Sequence, residues 1–199
     1  MLKSNPGLMA LLLILGGGVI RLLENLHPAF YPGATPLVAL AFIAAGYLPH
    51  RWSWLIGAAA VLISELAFLS WNYHSDGRFV SPVLIFSLGF YLIMGIFGLL
   101  LSRRPSFLAL YGGPLLGSIA FYLLANTVSW WASRDSSFYA YPQTFAGWVQ
   151  ANTTGLPGYP PAWIFLRNSL VGDLLFTTLL IMILDPARDA YDFRRKQVA

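Results

Sequence analysis

The chain has 199 residues, of which 57% are hydrophobic and only 10% charged, and its formal net charge is +4. Soluble domains carry about 25% charged residues, so a chain this apolar reads as one integral membrane domain spanning 1–199, with no separate soluble unit. The lack of cysteine excludes disulfides, thiolate metal sites and cysteine nucleophiles, and the basic excess fits loop cations that fix topology, not nucleic-acid binding.

Six apolar segments follow one another. The first, Leu8–Leu23, is preceded by Lys3 and followed by Glu24 with no small-x-small cleavage site, which predicts a retained helix, not a cleaved signal. Its Gly16, Gly17 and Gly18 permit close helix packing. Leu37–Leu48 and Trp54–Leu69 are short for a hydrocarbon core of about 30 Å, a deficit that flanking residues or a thinner bilayer can make up. Ala41 and Ala45, four apart in the second segment, form a small-residue face. Val83–Leu101 comes fourth. Phe107–Trp131 is fifth, with Pro114 near its start predicting a bend, and Trp163–Leu184 is sixth. Prolines 36, 49, 82, 105, 161 and 186 fall at segment edges and predict helix boundaries there. In the long connection before the last segment, "YPQTFAGWVQANTTG" predicts a short amphipathic helix with Phe145 and Trp148 on one side.

These segments predict an all-α bundle of six transmembrane helices. With both ends cytoplasmic, eight lysines and arginines lie inside and four outside, so the expected topology is N-in and C-in. The connection from 132 to 162 is then an extracytoplasmic loop between the fifth and sixth spans.

A charge at the bilayer centre costs about 2.5–3.5 kcal/mol on insertion scales, which makes intramembrane polar groups candidates for function. Here they are Arg21, Glu24, Glu65, Asn126, Arg167, Asn168 and Asp173, all placed towards the outer leaflet. Ser169 and Asp173 share a helix face, whereas Arg167 and Asp173 do not. Each charge therefore needs a partner on another helix: Glu24 or Glu65 for Arg167, and Arg21 for Asp173. The expectation is one outward-open cavity lined by these groups; the competing reading is a set of structural ion pairs. Aromatic residues are concentrated on the outer side, among them Trp71, Tyr73, Trp130, Trp131, Tyr141, Trp148, Tyr159 and Trp163, and suggest a lid over a flat or apolar ligand. His74, in "SWNYHSDGRF", is a candidate metal ligand. No HExxH, GxSxG or phosphate-binding glycine loop occurs, and the chain reads as a non-enzyme with no fixed cofactor.

The stretches "GVIRLLENLHPAFYPGATPLVALAFIAAGYL", "LISELAF", "LLANTVSWW" and "YPQTFAGWVQA…IFLRNSLVGDLLFTTLL" resemble, in collinear order, a bacterial family of transport proteins whose domain has no assigned function. The architecture is also similar to the six-helix S-components of energy-coupling factor vitamin transporters, and among these to the solitary vitamin B12 transporters of the BtuM type. The resemblance implies a multi-pass protein of the bacterial inner membrane that takes up a vitamin, with a corrinoid first and another vitamin or modified base next. It implies binding on the extracytoplasmic side by outer loops and later helices, with Arg21, Glu65, Trp71, Tyr73, Asn126, Trp130, Arg167, Asn168 and Asp173 as substrate-binding candidates. It further implies His74 as a candidate ligand for the cobalt of a bound corrinoid, and an energising module as partner. Two departures stand out: the cobalt-binding cysteine of the BtuM type is missing, and helix one offers glycines where an alanine docking motif is expected. The other readings are a non-transporting subunit of a larger membrane complex and an intramembrane enzyme using Glu65 or Asp173 as base.

Overall fold

The computed structural model describes residues 5–26, 33–48, 52–72, 82–101, 106–135 and 141–198. These form α1 (Pro6–Leu26), α2 (Leu37–Tyr47), α3 (Ile56–Asn72), α4 (Pro82–Leu101), α5 (Phe107–Ala132), α6 (Phe145–Ala151) and α7 (Ala162–Val198), with no strand among them. The helix starts follow local chemistry. Proline opens α1 and α4 at a position where its missing N–H costs nothing. Ser106 and Thr144 cap α5 and α6 by accepting from the amides of Ala109 (3.1 Å) and Gly147 (3.2 Å). Helix α5 runs unbroken through Pro114. The boundary expected at Pro186 is absent, since α7 continues through it to Val198. A proline removes one intrahelical hydrogen bond, and a helix can survive that loss.

Among the described residues, four helical stretches are long and apolar enough to cross a membrane: Pro6–Glu24, Leu84–Leu101, Phe107–Ala132 and Ala162–Asp185. Two shorter apolar stretches, Leu37–Tyr47 and Ser53–Ala67, complete the bundle. Side chains such as Leu11, Leu15, Val19 and Leu23 on α1, or Leu175, Leu179 and Met182 on α7, point outward at helical spacing. Surfaces this apolar suit lipid, not water.

The centre of the bundle is α2. Every residue from Leu37 to Ala45 is buried, and α1, α3, α4, α5 and α7 all pack on it. Its 11 residues reach only about 16 Å at 1.5 Å per residue, roughly half the hydrocarbon thickness. A helix this short is tolerable at membrane depth because protein, not lipid, surrounds it. Small residues make the packing possible. A Cβ on Gly98 would strike the Phe42 carbonyl, and one on Gly57 would strike Ala41. The same contacts use the Ala41 and Ala45 face, and Gly17 and Gly18 bring α1 against Leu40, Ala60 and Ser64. These pairings set directions. Helices α1, α3 and α5 run towards the end that carries residues 133–135 and 141–161, hereafter the loop end, and α2, α4 and α7 run back.

Candidate functional site

At the loop end, α5 and α7 part to leave a pocket of about 530 Å³. One wall is the α5 stripe Ser118, Phe121, Tyr122, Ala125 and Asn126, and the other is Ala162, Phe165 and Ser169 of α7. Tyr141 and the turn Gly155, Leu156, Tyr159, Pro160 form the cover. Both helical stripes follow the three- and four-residue spacing that puts side chains on one face. Among the described residues, no charged side chain lines the pocket, while five aromatic rings do.

Hydrogen bonds fasten the cover to α5. The Tyr122 hydroxyl donates to the Asn152 carbonyl at 2.7 Å, and the Trp148 indole N–H to the Thr127 hydroxyl at 2.8 Å. The Trp130 indole N–H donates to the Pro142 carbonyl at 2.9 Å, and Gln143 donates to the Trp130 carbonyl and the Ser133 hydroxyl. Helix α6 is the short amphipathic helix, with the Phe145 and Trp148 rings stacked 5.7 Å apart. Gly155 needs no Cβ because its φ of +69° turns the chain back over the pocket. Burial pushes the Tyr141 phenol above its ordinary range.

The polar groups proposed from sequence divide into separate sets. Asn126 lines the pocket. Arg21 and Glu65 form an ion pair between α1 and α3, and Arg21 also donates to the Ser64 hydroxyl at 2.7 Å. Neither belongs to the pocket wall. Glu24, expected as a partner for Arg167, instead accepts from the Gly33 amide at 2.6 Å. Arg167 is exposed, donates to the Asn168 side-chain carbonyl beside it and lies 5.6 Å from the Trp163 ring centroid. This is a first-turn arginine resting on an aromatic face, and it contributes no wall to the cavity. The buried Asn168 holds it from beneath.

Asp173 does not meet Arg21. It is 1% exposed, and its carboxylate accepts from the Ser118 hydroxyl on α5 and from the Ala39 amide on α2 at 3.3 Å. The Ala39 N–H belongs to the first turn of α2, whose preceding residue, Pro36, supplies no side-chain cap. Asp173 therefore caps α2 from another helix and places negative charge at the positive end of its dipole. One turn earlier on the same face, the Ser169 hydroxyl donates to the Gly33 carbonyl at 2.7 Å. Gly33 itself has φ +83° and lies against Phe165 and Ser169, so only glycine fits.

Trp130 binds the cover and is not part of the lining. Trp71 lies in the last turn of α3, and Tyr73 and His74 lie outside the described residues. Sequence reasoning missed Ser118, Phe121, Tyr122 and Phe165. Their signal was the stripe Ser118–Tyr122–Asn126 beside Phe165–Ser169–Asp173, polar and aromatic groups recurring at helical spacing on two neighbouring helices. No group of three or more metal-ligating side chains occurs among the described residues.

No curated protein and no solved structure matches the chain significantly. A family model does match, over residues 3–194, and by it the chain belongs to DUF6580, a family of unknown function.

Proposed function

We propose that this protein is a membrane uptake protein that binds a vitamin-like small molecule in the pocket between α5 and α7. The observation that carries the proposal is the pocket itself. Its volume falls within the roughly 300–1,000 Å³ of small-molecule sites, and a mostly apolar wall with a few convergent polar groups is the usual character of such sites. Five rings beside Asn126, Ser118 and Ser169 suit a flat, uncharged ligand that presents an amide, carbonyl or hydroxyl. An intact corrinoid with its nucleotide arm exceeds this volume, so the size favours the smaller vitamin or modified base over a corrinoid enclosed whole.

The reading extends to topology. Four long spans with the short α2 and α3 between them are compatible with an S-component-like six-helix arrangement in the bacterial inner membrane, N-in and C-in, with the loop end extracytoplasmic. Movement of ligand inward would come from rocking of the bundle or from an energising partner module.

The test is native mass spectrometry of the protein purified in lipid nanodiscs, followed by vesicle uptake of whatever compound it releases. The wild type is expected to carry a small molecule. Ala125→Trp, which fills the pocket from α5, is expected to lose it while unfolding at the temperature of wild type stripped of its ligand. Retention of the same molecule by a folded Ala125→Trp variant refutes the pocket as its site, and an empty wild type favours the non-transporting subunit.

A further inference from the structure

The floor of the pocket is joined to a buried acid. Ser118 lines the cavity, and its hydroxyl donates to Asp173, which is itself sealed from solvent. Among the described residues, the charged side chains nearest Asp173 are engaged elsewhere. On α1, Arg21 is held by Glu65 of α3 and by Ser64, and Glu24 by the Gly33 amide. On α5, the Tyr122 hydroxyl donates to the Asn152 carbonyl, and the Tyr111 hydroxyl is bonded to Thr178. The titratable group of α2, Tyr47, sits at the opposite end of that helix. Tyr91 of α4 is buried against the Phe90 and Phe121 rings. Asp173 is thus a membrane-depth carboxylate balanced by one hydroxyl, one amide and a helix dipole, with no cation bonded to it among the described residues. One turn further along its face, Thr177 is equally buried and its hydroxyl has no partner among the described residues.

We propose that Asp173 is a proton-binding site whose occupancy decides whether the Ser118 hydroxyl is available to the pocket. In the ionised state, the Ser118 O–H donates to the carboxylate and presents only a lone pair elsewhere. When Asp173 takes a proton on that oxygen, the new carboxyl O–H donates to Ser118 Oγ. The serine hydrogen is released and turns to an acceptor on the ligand. One proton is bound and no other covalent bond changes. By linkage, a ligand that accepts from Ser118 draws a proton onto Asp173, and acidification tightens such a ligand. A serine suits this exchange because a hydroxyl both donates and accepts. The coupling to ligand rests on the pocket being the binding site, but the proton exchange at Asp173 does not, so it is tested without ligand.

The experiment is pH-difference infrared spectroscopy of the full chain in nanodiscs, with and without ¹³C-aspartate labelling. A carboxyl C=O band is expected to grow on acidification and to shift on labelling. The band should be missing from Asp173→Asn. In Ser118→Ala, which leaves the α2 cap in place, it should persist at a higher frequency because its O–H has lost an acceptor. The labelled wild type and Ser118→Ala decide the matter even if Asp173→Asn fails to fold. The proposal is overturned if no labelled band titrates, if the band ignores Ser118→Ala, or if sodium at constant pH removes it, which would make the site a cation site.

Discussion

The ion pair between Arg21 and Glu65 gives the sharpest test of whether the intramembrane charges are structural. The two side chains are 18% and 21% exposed, on helices whose other faces are apolar. Removing one member of a buried pair generally costs about 3–5 kcal/mol, whereas replacing both with apolar residues of similar volume is often neutral. Arg21→Met and Glu65→Leu are therefore each expected to cost about 3–5 kcal/mol, with Ser64 giving the guanidinium stranded by Glu65→Leu only partial relief. The double variant Arg21→Met/Glu65→Leu should return to within about 1 kcal/mol of wild type. Equilibrium unfolding of the three variants in mixed micelles measures all of this, and ligand retention on the same samples shows whether the pair serves binding. Additive single effects, or a folded double variant that no longer binds, would refute the assignment of this pair to structure alone.

Other outcomes follow from particular contacts. Gly98→Ala drives a methyl into the Phe42 backbone, which cannot yield as a flexible side chain would, so a loss of about 1–3 kcal/mol is expected; Gly16→Ala, with nothing within 4 Å, should gain up to about 1 kcal/mol, and thermal unfolding compares the two. Trp148→Phe keeps the ring on Phe145 but removes the donor to Thr127, which should cost about 0.5–1.5 kcal/mol, visible as faster amide exchange over 144–152. Burial raises the Tyr141 phenol, so the docked cover stays neutral to higher pH than the undocked one. Cover stability is thus complete below the ordinary tyrosine value of about 10 and falls as pH rises above it, and Tyr141→Phe should remove that contribution to the alkaline loss, as read by exchange protection.

Helix positions were legible because each is a sustained apolar run closed by proline or polar residues. Leu37–Leu48, Phe107–Trp131 and Val83–Leu101 match α2, α5 and α4 to within a residue. The last third of α7 was not legible, because its tail "ARDAYDFRRKQV" has no hydrophobic run and a proline stands before it. Partner choice was not legible either. Helical periodicity correctly separated Arg167 from Asp173 and joined Ser169 to Asp173, but it cannot say which neighbour faces each. Arg21 therefore pairs with Glu65, and Asp173 meets a serine and a backbone amide instead. Looking within the spans for charges and amides also hid the aromatic and hydroxyl-bearing walls of α5 and α7, where Asn126 is the shared amide, whereas Tyr141 and Tyr159 of the outer aromatic set do line the pocket.

The short central helix has a consequence for how the chain assembles. Eleven residues, Leu37–Tyr47, are too few to be held in a bilayer by their own length, and their leading amides would meet hydrocarbon unanswered. One of those amides is answered by Asp173, on a helix made more than a hundred residues later. The nascent chain must therefore shelter this segment, near the membrane surface or against provisional neighbours, until the last span arrives. Ribosome-stalled chains ending before residue 162 should leave Leu37–Tyr47 open to labelling that the finished protein excludes.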